Sequence, residues 1–124
     1  MMIVILFFKV LVVIVALEFL YIMYLETFAT TSDKTAQTFK MTAQELQNKN
    51  VQTLFKNQGI YNGLIALGLL YGLFFVQDYL AFIRFLLVYI ILVAAYGAYS
   101  SDKSILFKQG GLAIIAVIVS LFLK

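Results

Sequence analysis

The chain has 124 residues, 64% apolar and 12% charged, with a formal net charge of +3. Soluble domains run at about 45–50% apolar and about 25% charged, and a fold this small has too much surface to hide such an excess, so the composition calls for lipid as a solvent. Neither Cys nor His occurs, which excludes disulfides, thiolate and imidazole metal sites and the commonest general base. A single arginine among nine basic residues argues against a nucleic-acid partner.

Four apolar blocks follow in chain order, over residues 2–25, 59–76, 79–99 and 105–123. Each approaches the ~20 residues that cross a hydrocarbon core of about 30 Å. A helix satisfies its backbone groups internally, as lipid requires, and no proline interrupts any block. Lys9 lies inside the first block, and Leu25-Glu26-Thr27 does not form a signal-peptidase site. The first block is therefore expected to be a permanent span.

Between the first two blocks the chain turns polar. Thr42-Ala43-Gln44-Glu45 has the spacing of a capping box, which starts a helix. Phe39, Ala43, Leu46 and Leu54 form a thin apolar stripe, which suits a short amphipathic segment at the membrane surface, with a solvated loop carrying one helical turn as the alternative. Only Gln77 and Asp78, or at most Tyr79 as well, separate the second and third blocks, and the link from Ser100 to Lys108 is also short. Short links favour antiparallel neighbours. The expected fold is all-α, a four-transmembrane-helix up-down bundle forming one integral membrane domain over residues 1–124.

Basic residues set the expected orientation. Lys34, Lys40, Lys49, Lys56, Lys103 and Lys108 fall in the loops after the first and third spans, against Lys124 and the embedded Lys9 and Arg84 for the other side. The excess predicts that residues 27–56 are cytoplasmic in a bacterial plasma membrane and that both termini face outward. Lys9 and Arg84 are expected to snorkel.

Residues that lipid should reject mark the candidate site. Glu18 sits deep in the first span and should face other helices, where it needs a partner or a proton. Glu26 lies about 12 Å further along the same helix, with Tyr21 nearby. The second span opens with Asn57, Gln58, Tyr61 and Asn62, of which Gln58 and Asn62 are one helical turn apart. Gln109 of the fourth span belongs to the same expected end of the bundle as Glu26. These eight residues form the candidate binding set. Gly59 with Gly63, and Gly68 with Gly72, have the spacing that lets helices approach closely.

Ala16-Leu17-Glu18, Tyr21-Ile22, Tyr24-Leu25-Glu26, Asn57-Gln58-Gly59, Tyr61-Asn62-Gly63, Tyr96-Gly97 and Gln109-Gly110-Gly111 together resemble a family of small bacterial integral membrane proteins known only as a domain of unknown function. The resemblance covers nearly the whole chain and implies a four-span membrane protein without an assigned activity. That family typically has His after the first Glu and Pro after the Gly pair, where this chain has Phe19 and Leu112.

Binding or transport of a small polar or cationic solute is the first functional expectation, with Glu18 or Glu26 as counter-charge or proton carrier. Four spans are few for a transport path, so a homodimer is expected. In the alternative, the amides and glycines only pack helices, and the basic loop meets a partner or anionic lipid. A membrane enzyme acting on a lipophilic substrate ranks third, because neither His nor Cys is present. No cofactor is expected.

Overall fold

Apolar runs without proline have helix as their economical backbone solution, and the structure is helical throughout with no strand. The structure is a computed structural model describing residues 1–124. Helix α1 spans Met2–Met23 and widens into a π-helical turn over Tyr24–Phe28. Two short helices follow, α2 over Asp33–Phe39 and α3 over Ala43–Leu46. The long helices α4, Lys49–Phe75, and α5, Tyr79–Ser100, precede α6, Ser104–Ser120.

Three helical stretches are long and apolar enough to cross a membrane: Met2–Phe28, Lys49–Phe75 and Tyr79–Ser100. With 17 residues, α6 is shorter, about 26 Å at a rise of about 1.5 Å per residue. It stops at Ser120, three residues before the apolar run ends. The Ser120 hydroxyl donates back to the Val117 carbonyl at 2.6 Å. The amides of Phe122 and Leu123 bond three residues back, to Val119 and Ser120, which tightens the end into a 3₁₀ turn.

The second apolar block begins at Gly59, yet α4 starts ten residues earlier. Hydropathy marks what lipid accepts rather than where a helix starts. The start is set by Asn48, whose Oδ1 accepts from the amides of Asn50 at 2.8 Å and Val51 at 3.3 Å. The expected amphipathic segment is two short helices and the first turns of α4. Thr42 and Glu45 do form the capping box, with Glu45 N donating to Thr42 Oγ1 at 3.0 Å and Thr42 N donating to Glu45 Oε1 at 2.8 Å. Lys40 breaks the segment before that point by taking the left-handed conformation, φ 54° and ψ 48°. Within the apolar stripe Leu46 is fully buried, but Leu54 is exposed. Phe55 takes its place against Phe39, edge to face at 5.4 Å.

By its contacts the chain divides into two units, Met1–Ala16 with Leu67–Lys124 and Leu17–Ala66. In the first, α5 packs against α6. Its buried residues Leu80, Ile83, Leu87, Ile90 and Ala94 recur at alternating spacings of three and four, the seam of a helix with a single packed stripe. The residues of α6 buried in turn are small: Gly110, Ala113, Ala116 and Ser120. A Cβ on Gly110 would lie 3.2 Å from that of Ala94, so the two backbones already meet closely there. In the second unit the chain reverses after the π turn, and α2, α3 and the start of α4 follow.

Candidate functional site

The second unit contains a carboxylate withdrawn from solvent. Glu26 is 5% exposed, and Asn62 Nδ2 donates to its Oε1 at 2.7 Å. Glu26 lies on the π turn, where the amide of Ala29 bonds the carbonyl of Tyr24, five residues back. Such turns widen the helix, shift the carbonyl ladder out of register and recur at functional positions.

Two threonines occupy the displaced carbonyls. Thr30 Oγ1 donates to the Glu26 carbonyl at 2.7 Å. Thr35 is fully buried, and its hydroxyl stands 2.6 Å from the Ala29 carbonyl and 3.1 Å from that of Leu25. Its one proton goes to these carbonyls, so in the 2.8 Å contact with Ser32 Oγ the serine must be the donor. The first turn of α2 thereby closes the end of the first helical stretch.

The start of α4 approaches the same turn closely. Thr27 Oγ1 donates to the Lys56 carbonyl at 3.0 Å. A Cβ on Gly59 would run into Thr27 Oγ1 and stand 3.1 Å from Glu26 Cβ. Glycine is required here because it brings α4 near enough for the Asn62 amide to reach the carboxylate. A Cβ on Gly63 would meet the Met23 thioether, a flexible neighbour.

Residues 13–121 match the family described as "Protein of unknown function (DUF1304)". The chain belongs to this family. Uncharacterized protein YpaA of Lactococcus lactis subsp. lactis (strain IL1403) is 62% identical over 109 residues, 88% of this chain and 92% of that protein. No solved structure matches the chain.

Of the eight candidate residues, the structure joins Glu26 and Asn62 directly. Asn57, Gln58 and Tyr61 are exposed on α4. Tyr21 is exposed and stacks on Tyr24 with ring centroids 6.5 Å apart. Gln109 is half-buried on α6 and belongs to the other unit. Glu18 is half-buried, and its Oε1 is out of solvent with no hydrogen-bond donor from the protein. Sequence reasoning missed Thr30 and Thr35; the one local signal was Ser32 three residues before Thr35, the spacing of an N-cap.

Arg84 does not simply extend toward water. Its Nε donates to Ser120 Oγ at 3.1 Å, and its Nη2 donates to the carbonyl oxygens of Ser120 and Leu123. It shares the Ser120 carbonyl with the Leu123 amide and adds a donor to the Leu123 carbonyl just beyond α6. Lys9 places its ammonium 5.1 Å from the centre of the Tyr79 ring, a cation–π contact.

Proposed function

We propose that this is a four-span protein of the bacterial plasma membrane that binds a small cationic or polar solute at its interior carboxylates. In this reading α1, α4, α5 and α6 cross in alternating directions as an up-down bundle. The lysine-bearing segments 27–56 and 100–108 then lie in the cytoplasm. Lipid is the solvent that suits the outer faces, where Phe7, Leu17, Leu64, Phe74, Phe85 and Leu92 are all exposed. A homodimer supplies the wider polar path that four spans lack.

The observation that carries the binding reading is the buried Oε1 of Glu18, an acceptor that the chain leaves without a donor. Buried acceptors in native proteins are satisfied as a rule, and an acid at membrane depth is costly enough to mark function. An N–H donor or a cation on a solute satisfies it. Glu26 already has the Asn62 amide and serves as the second carboxylate on the same helical stretch.

Thermal unfolding of the detergent-purified protein, with added methylammonium or tetramethylammonium at fixed ionic strength, tests the proposal. A ligand that binds the folded form raises the melting temperature saturably. The rise should be lost in Glu18→Gln and kept in Lys103→Gln. If neither cation produces a rise, or if Glu18→Gln responds like the parent, solute binding at Glu18 is wrong.

The packing reading draws on a different observation: the Glu26–Asn62 bond beside the Gly59 approach is a saturated helix contact. Under that reading Glu18→Gln is silent in every assay.

A further inference from the structure

A groove of about 320 Å³ runs along α1 and the end of α4 in the first unit, lined by Leu6, Val10, Val13, Ile14, Leu73 and Phe74 with Lys9 among them. Its walls are apolar, the methylene stem of Lys9 among them. From Lys9 to Ile14 the helix rises about 7.5 Å, enough for the first part of one hydrocarbon chain. The ammonium is not free to wander, because it rests against the ring of Tyr79. Tyr79 is the first residue of α5, directly after the turn at residues 76–78 that follows α4. In the membrane-spanning reading, on which this inference rests, a turn between spans lies at the lipid–water boundary. The Lys9 ammonium, held beside Tyr79, is therefore at headgroup level, and Val10, Val13 and Ile14 of the groove lie below it. Asp78, the acid of that turn, is exposed and does not line the groove.

We propose that this groove is a binding site for an anionic phospholipid, with the phosphate at Lys9 and one acyl chain along Val10, Val13, Ile14, Leu73 and Phe74. Charge complementarity selects the headgroup, and the groove wall selects a chain rather than a polar solute. A zwitterionic lipid offers the same chain, but its own ammonium offsets the attraction.

Native mass spectrometry of the protein from mild detergent, with phosphatidylglycerol and phosphatidylcholine of identical chains, reads the site directly. Retention of phosphatidylglycerol should exceed that of phosphatidylcholine by about fivefold, the equivalent of the roughly 1 kcal/mol that one lysine contributes near an anionic headgroup. Lys9→Gln should remove the preference, Lys9→Arg should keep it, and Val13→Trp should lower retention of both lipids by filling the groove. Equal retention of the two lipids by the parent protein, or an unchanged preference in Lys9→Gln, overturns the proposal. An alkaline carbonate wash of cell membranes separates this failure from that of the broader reading. Release of the protein into the aqueous phase would sink both, whereas a protein that stays in the membrane but shows no lipid preference would sink the lipid site alone.

Discussion

The side-chain amide of Asn62 donates to Glu26 Oε1 at 2.7 Å, joining residues 36 positions apart in sequence. The acceptor is a buried carboxylate on a π turn, and the donor lies one turn after Gly59 on α4. The donor is neutral, so the bond orients the carboxylate without neutralising it.

Removing that donor should cost more than the bond itself contributes, because the acceptor stays buried. An unsatisfied buried group costs about 1–3 kcal/mol. Asn62→Leu should therefore lower the melting temperature in detergent, and Glu26→Leu in the same chain should recover part of the loss. A double-mutant cycle is the measurement. Coupling indistinguishable from zero would mean that the pair contributes nothing to the packing of this unit.

Glycine positions give a contrast within one helix type. At Gly59 an added Cβ meets Thr27 Oγ1 and the Glu26 side chain, whereas at Gly111 it meets nothing within 4 Å. Gly59→Ala should destabilise the protein by displacing Thr27 from the Lys56 carbonyl. Gly111→Ala should stabilise it by up to about 1 kcal/mol, the helix-propensity gain of alanine over glycine. Melting curves of the two variants in one detergent should move in opposite directions, and a shift in the same direction would refute the contact assignment.

What was legible in the sequence follows from the range of the forces involved. The Thr42–Glu45 capping box could be read because both partners lie within one helical turn. Close approach at Gly59 and Gly63 could be read because small residues four apart fall on one helix face and let backbones meet. The start of α4 at Lys49 could not, since hydropathy reports lipid compatibility and the first turns are polar. Thr35 was hidden because its hydroxyl meets Leu25, ten residues back, across a chain reversal that no periodicity announces. Of the candidate cluster, Glu26 and Asn62 came together through a donor and acceptor of matched type, while Asn57, Gln58 and Tyr61 remain on the exposed side of α4.

The proposed orientation has a direct test. Single cysteines at Ser32 and at Lys124, in a chain that has no cysteine of its own, report sidedness when intact cells meet an impermeant thiol reagent. With the basic loop in the cytoplasm, position 124 should label and position 32 should not. The reverse pattern would place residues 27–56 outside and overturn the lysine argument.

Arg84 offers the sharpest separation of charge from geometry. Its guanidinium bonds the Ser120 hydroxyl and the carbonyl oxygens of Ser120 and Leu123, 36 to 39 residues away. Arginine presents several donors in a rigid fork, and lysine presents one compact ammonium. A snorkelling anchor needs only the charge, so on that basis Arg84→Lys would be neutral. A cap on α6 needs the fork, so Arg84→Lys should release part of the helix end and Arg84→Met all of it. Hydrogen bonds to charged groups contribute about 1.5–3 kcal/mol, so loss of the set should speed local amide exchange by about tenfold or more. The amides to follow are those of Leu121, Phe122 and Leu123, which bond back to Val117 and Ile118, Val119 and Ser120 respectively. Ser120→Ala removes one of the three acceptors and should give a smaller increase. Hydrogen–deuterium exchange of the C-terminal peptide in detergent resolves the series. Exchange in the order parent, Ser120→Ala, Arg84→Lys, Arg84→Met, slowest first, is the expected result, and equal rates in the parent and Arg84→Lys would leave charge alone as the role of this arginine.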